Sequence, residues 1–368
     1  MVMYIAGSTL IIGAGIEAKK DAWLAILIAA AAAFPVLMAY SRILSRFPGM
    51  DLFDILETVF GKVAGKIISV FFIWYAFHLG TLVVRNFGEF IHTVGLPATP
   101  MPVPMGFIVI LCLWIVREGL EVLGRWADIF IYVIYLIIIS TMLLSLPDIN
   151  PDNLRPVLYK GMQPVIEGAL GIFSFPFAET VVFMMVLPSQ KPQISAYRVY
   201  GQGLLIGMVL MLIVSFRNIT VLGPDLMLNV YFPSYVAVRI INIGDFLQRI
   251  EITIAVGLLI GGFIKISICL LAACKGLAKL FGREDYRFIV TPIALLMLYM
   301  SILIYDNIFE MFDFIKIWFY YSFPFQVILP LVILVFAEIK SGKNAKKVIF
   351  KFFQKTFSLV KSQKKHGV

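Results

Sequence analysis

Residues 168–187 read GALGIFSFPFAETVVFMMVL, and residues 3–20 read MYIAGSTLIIGAGIEAKK. In the first, Ser174 and Pro176 interrupt a run otherwise apolar enough to span a membrane, and Glu179 follows directly. In the second, Gly7, Ser8 and Thr9 are followed by Gly13 and Gly15. A helix in hydrocarbon is not interrupted unless the freed backbone groups face protein or a water-lined cavity, because each unsatisfied group costs several kcal/mol. Taken singly, these are a proline kink and a glycine-rich packing face. Taken together, they fall in the first and sixth of about ten spans, which is where an inverted five-plus-five repeat places its broken helices around a midmembrane site.

The surrounding chain sets that count. It has 368 residues, 61% hydrophobic and 14% charged, with a mean hydropathy of +0.94. That is more apolar surface than a soluble core can hide, and runs of about 20 apolar residues match a ~30 Å hydrocarbon layer. Alternating strand patterns are absent, so the fold is read as all-α, a polytopic helical bundle. Spans are expected near 1–17, 22–45, 63–94, 102–117, 122–146, 161–187, 195–221, 248–280, 288–305 and 323–339, making 1–339 one transmembrane domain. Two amphipathic pieces, Asp51 to Phe60 and Asn307 to Tyr320, are expected as separate interfacial helices. Leu222 to Phe246 reads as a folded loop or surface helix.

Positive charge orients the bundle, because cytoplasmic loops retain Lys and Arg. One side collects 21 of the 31 basic residues, among them Arg42, Arg46, Lys66, Lys275 and Lys279. The other holds eight, including Lys19, Lys20, Lys160 and Arg217, and Arg85 and Lys265 remain within the bilayer. Both termini are therefore expected to be cytoplasmic. Residues 340–368 carry nine lysines and no acid, so the whole formal charge of +9 sits there. Lys347, Lys351 and Lys355 recur every four residues opposite Ile349, Phe352 and Phe353, which reads as a basic amphipathic tail on anionic lipid rather than on nucleic acid.

Ionisable groups inside spans are functional hypotheses by default. Glu179 reads as a proton-responsive carboxylate, or as a carboxylate that simply bonds the backbone freed by Pro176. Lys265, deep in GGFIKISICL, reads as an ammonium in the place of a coupling cation, or as a side chain reaching for the inner surface. Arg85 and Glu89, spaced i,i+4, share a helix face and read as a structural ion pair. Glu167 and Glu251 suit vestibule lining or interfacial solvation equally, and His78 suits packing or a cavity. Cys112, Cys269 and Cys274 lie in apolar segments without metal-ligand spacing. There is no HExxH, phosphate-binding glycine loop or Cys/His cluster, so neither an enzyme nor a cofactor or metal site is expected.

Nine segments, in order along the chain, resemble the B subunits of endospore germinant receptors. They are KKDAWLAILIA, SRFPGMDLFDILETVFGKVAGK, VVRNFGEFI, REGLEVLGRWADI, LPDINPDNLRPVL, GALGIFSFPFAETVVFMM, TVLGPDLM, INIGDFLQRIE and GGFIKISICLLAACKGLAKLFGREDYR. The family is a branch of the amino acid-polyamine-organocation superfamily. The resemblance implies a leucine-transporter-like fold, the inner membrane of a bacterial spore, A and C subunits as partners, and recognition of a small nutrient such as an amino acid or sugar. It also implies ligand contacts at Gly7, Ser8 and Thr9 for a carboxylate and at Phe173, Ser174 and Phe175 for an amine. Related transporters keep an acid after a Gly-Phe pair; here Phe177 and Ala178 precede Glu179, a departure from the pattern that carries proton coupling. Family members carry a longer segment before GSTL, so the resemblance implies a first helix of which residues 1–17 are a part. A proton-coupled amino acid transporter and an ion or water conduit are the competing functions.

Overall fold

Apolar runs punctuated by glycine, proline and charged pairs become helices. The computed structural model describes residues 1–9, 15–187, 195–241 and 250–340, and no strand occurs among them. The helices are α1 (Val2–Thr9), α2 (Ala22–Arg46), α3 (Leu52–Phe60), α4 (Lys62–Val94), α5 (Pro102–Glu118), α6 (Leu120–Leu144), α7 (Gln163–Ile172), α8 (Phe183–Val186), α9 (Ala196–Leu228), α10 (Pro233–Arg239), α11 (Glu251–Leu280), α12 (Arg287–Leu303) and α13 (Ile308–Phe323). Seven stretches are long and apolar enough to cross a membrane: Glu17–Arg46, Lys62–Val94, Leu120–Leu144, Gln163–Val186, Ala196–Met227, Glu251–Leu280 and Ile308–Lys340. The apolar α12 is shorter, at 17 residues, or about 25 Å of helix.

The core is built around α11, which packs along α4 and also meets α1, α5 and α6, while α2 lies against α7 and α9. α1 and α11 come close at Gly7 and Gly261, where a Cβ on Gly7 would stand 2.5 Å from the Gly261 carbonyl carbon. Only two glycines allow α1 and α11 to touch backbone to backbone, the small-residue packing that substitutes for hydrophobic force in lipid.

Two expectations are corrected, and a third is resolved in favour of helix. Asn307 to Tyr320 is no separate interfacial helix: helix runs unbroken from Ile308 to Lys340, because a π-helical turn at Pro324–Ile328 absorbs the proline without ending the helix. The stretch from Leu222, read as a folded loop or surface helix, is helical in most of its described part: the backbone leaves helical geometry at Gly223 (φ 71°) before Pro224, helix resumes to Leu228, and α10 follows at Pro233–Arg239. Only glycine takes that φ without strain, and the following proline has no amide to offer the ladder. Arg217, counted above among the charges on one membrane side, is 1% exposed inside the bundle. The 340–368 tail lies outside the described residues beyond Lys340.

α3 is locally specified. Asp51 accepts from the amides of Phe53 and Asp54, and the Asp54 carboxylate returns to the Asp51 amide, a full capping box. Lys279, from the end of α11, bridges Asp51 at 2.7 Å and Asp54 at 2.5 Å. At the same end of the bundle, Arg42 and Arg46 grip Glu338 at 2.7 Å each.

Candidate functional site

The helix that begins as α7 does not run straight to α8. It passes through a π-helical turn at Phe173–Phe177 and a 3₁₀ turn at Ala178–Val182. Pro176 has no amide and clashes with a preceding carbonyl, and Phe175 leaves helical geometry altogether (φ −143°, ψ 101°). The carbonyls this releases are taken by side chains from three other helices. Ser174 O accepts from Trp318 Nε1 at 3.3 Å and from Gln326 Nε2 at 2.8 Å. Ala178 O accepts from the Tyr40 hydroxyl at 3.2 Å, and Thr180 O from the Tyr200 hydroxyl at 3.3 Å. The break is thus a built element whose backbone needs are met by protein.

Glu179 and Lys265 meet at this break. The Lys265 ammonium donates to Glu179 Oε2, and neither residue has exposed surface. The same ammonium stands 4.3 Å from the Phe175 ring centre and 5.0 Å from that of Tyr4, the arrangement in which aromatic faces stabilise a desolvated cation. The extended backbone at Phe175 is what turns its ring onto Lys265. Glu179 Oε1, by contrast, is buried without a hydrogen-bond partner. Glu179 is among the residues that wall a small cavity between the break, α4 and α13, with Leu79, Val83, Asn86, Phe175, Phe314 and Trp318. The cavity has a volume of about 30 Å³, against roughly 10–15 Å³ needed for one water. A buried carboxylate with one committed oxygen and one without a hydrogen-bond partner, beside an apolar aromatic wall, is suited to receiving a cationic group with an apolar body.

The other residues singled out from sequence fall as follows. Gly7, Ser8 and Thr9 lie within α1, where their amides bond carbonyls one turn earlier by helix geometry; Gly7 faces Gly261, one turn before Lys265 on α11. Phe173 and Ser174 are buried in the π turn, and Ser174 Oγ donates to Gly171 O at 3.0 Å. Arg85 donates through Nε and Nη2 to Glu89 Oε1 at 2.9 and 2.8 Å, and through Nη1 to Ser301 O and Ile302 O at the end of α12. That places a cation on helix-terminal carbonyls, where the dipole favours it. Glu167 accepts from Gln163 Nε2 at 3.0 Å on the surface. His78 stacks on Trp74 with ring centres 5.4 Å apart. Among the described residues no group of His, Cys, Asp or Glu is arranged to hold a metal.

One feature had no reading in the sequence, and another was misplaced by it. One is the set Tyr40, Tyr200, Trp318 and Gln326 that satisfies the break; the available signal was polar atoms in apolar helices, which need partners when buried. The other is Arg217, whose guanidinium is held by neutral acceptors: Asn218 Oδ1 at 2.8 Å, Thr141 Oγ1 at 2.9 Å and Ser234 O at 3.4 Å.

Comparison with known proteins gives these findings. Residues 1–309 match the family model described as spore germination protein. Spore germination protein KB of Bacillus subtilis (strain 168) is 29% identical over 351 residues, 94% of each chain. The putative spore germination protein YfkT of the same organism is 26% identical over 330 residues, 90% of each chain. Among solved structures, MhsT in complex with L-phenylalanine superposes with a TM-score of 0.59 at 11% identity, covering 91% of this chain and 87% of that one. That likeness gives the fold, a leucine-transporter-like bundle.

Proposed function

Starting from a chain that belongs to the spore germination protein family, we propose that it is a germinant receptor subunit that binds a small nutrient, an amino acid or a similar solute, beside Glu179 and Phe175. The observation that carries this reading is the buried Glu179–Lys265 pair set on a broken helix beside a small cavity, with one carboxylate oxygen left without a hydrogen-bond partner. A ligand ammonium taking that oxygen competes with Lys265 for Glu179. Separation of the pair exposes an uncompensated charge, so occupancy favours a rearrangement of the break against α11. A ligand shifts such an equilibrium only by binding one arrangement better than the other.

In this reading the protein sits in the inner membrane of the spore with both termini cytoplasmic. It works in complex with A and C subunits, and its basic tail rests on anionic lipid. The family and fold are those of receptors or transporters. Amino acid transport is the second reading, favoured by the likeness to MhsT, a structure described with L-phenylalanine bound. Proteoliposomes holding the full chain separate the two. The receptor reading expects nutrient binding with no accumulation of labelled ligand, whether or not a proton gradient is imposed; gradient-dependent accumulation overturns it in favour of transport.

A further inference from the structure

The Glu179–Lys265 pair is electrically neutral and has no exposed surface. A simple amine drawn to Glu179 leaves one positive charge uncompensated inside the bundle, where little solvent screens it. A zwitterion brings its own carboxylate and keeps the total at zero. That carboxylate needs hydrogen-bond donors. Gly7, Ser8 and Thr9 do not offer them in this structure, because their amides lie within the helical turns of α1 and bond carbonyls there.

Donors without partners stand in the wall of the cavity beside Glu179. On α4, Leu79, Leu82, Val83 and Asn86 fall at i, i+3, i+4 and i+7, a single stripe that walls this space. Asn86 lies about 10 Å beyond Leu79 along the helix axis. It is 8% exposed, yet its carboxamide makes no hydrogen bond among the described residues. Tyr305, just past α12 and 7% exposed, walls the same cavity with a hydroxyl likewise unbonded among the described residues. The third donor in the wall, the Trp318 indole, is committed to Ser174 O at 3.3 Å. Buried polar groups in folded proteins are hydrogen-bonded, so a carboxamide and a hydroxyl left over beside one cavity bond its occupant. Glu179 is the one charged residue in that wall, and no second acid there answers these donors. The occupant of the closed cavity, at about 30 Å³, is water. An amino acid enters only with a rearrangement of the break, which the proposed function already requires.

We propose that Asn86, assisted by Tyr305, determines specificity by receiving the carboxylate of an amino acid whose ammonium Glu179 holds, so that the nutrient is a zwitterion rather than an amine or a sugar. The assignment rests on the reading that Glu179 holds the nutrient's ammonium. The test is calorimetric titration of the full chain in lipid nanodiscs with the standard amino acids and with their amides, which keep the ammonium and lose the negative charge. At least one amino acid binds the parent, about tenfold or more tightly than its amide, the difference expected for a hydrogen bond to a charged group. Asn86→Leu binds that amino acid about tenfold more weakly and prefers it to the amide by no more than about twofold. Asn86→Asp reverses the order, because a second carboxylate repels the acid and not the amide. Tyr305→Phe, which removes only a hydroxyl, lowers the preference about threefold, a result that stands even if the Asn86 variants fail to fold. An amide that binds the parent as tightly as its acid, or a preference unchanged in Asn86→Leu and Tyr305→Phe, overturns the assignment; loss of amino acid binding in Glu179→Gln then still leaves the nutrient site at Glu179. Failure of every amino acid and amide to bind the parent overturns both.

Discussion

Replacing Lys265 by methionine removes the partner of a carboxylate that has no exposed surface and whose second oxygen already lacks a hydrogen bond. Breaking a buried pair from one side destabilises by about 3–5 kcal/mol, because the remaining charge is left uncompensated. Glu179→Gln is milder. The Lys265 ammonium keeps the faces of Phe175 and Tyr4, worth about 2 kcal/mol when desolvated, so the expected loss is about 1–3 kcal/mol. The double variant Glu179→Gln/Lys265→Met has no buried charge at either position and returns to within about 1 kcal/mol of the parent. Thermal unfolding in one detergent, followed by tryptophan fluorescence, reads the cycle. With roughly 2 °C per kcal/mol for a large domain, Lys265→Met lowers Tm by about 5–10 °C and the second substitution restores most of it. Losses that simply add, with a coupling energy below about 0.5 kcal/mol, refute the buried pair as a unit.

Gly261→Ala places a methyl group 2.3 Å from Gly7 Cα, so α1 and α11 must part; a loss of about 1–3 kcal/mol is expected, and an unchanged melting temperature contradicts the backbone contact. Asn218→Leu deprives the buried Arg217 guanidinium of an acceptor held at 2.8 Å, costing about 1.5–3 kcal/mol in the same assay. Burial pushes the Asp51 carboxyl above its usual 3.8, with Lys279 pulling it down only in part. The native state therefore holds that proton more tightly than the unfolded chain, and protonation favours folding. The stability of the parent relative to Asp51→Asn, which keeps the helix cap, is highest below pH 3.8 and declines as pH rises through the elevated native value; a pH-independent difference contradicts the assignment.

The membrane-spanning helices were legible because long apolar runs and glycine or proline boundaries are local signals. The break at Ser174–Pro176 was legible for the same reason: proline removes an amide wherever it sits. Pro324 shows the limit: both prolines sit in π turns, yet the backbone leaves helical geometry at Phe175 before Pro176 and stays helical through Pro324. Glu179 and Lys265 were each conspicuous as charges in apolar runs, yet 86 residues separate them, and one sequence carries no measure of their distance in space. The side chains that satisfy the break come from α2, α9 and the helix that begins as α13, and nothing local marks Tyr40 or Gln326 for that task. Arg217 was misplaced because charge counting assumes that a basic residue near the end of a span lies in water, whereas Thr141, Asn218 and Ser234 make a polar interior for it.

The central claim is that Glu179 receives the nutrient. The direct measurement is calorimetric titration of an amino acid panel into the full chain in nanodiscs, parent against Glu179→Gln. The account predicts saturable binding of at least one amino acid to the parent and about tenfold or greater weakening in Glu179→Gln, the loss expected for a hydrogen bond to a charged group. Equal affinity in the two proteins, or no binding by any member of the panel, contradicts it.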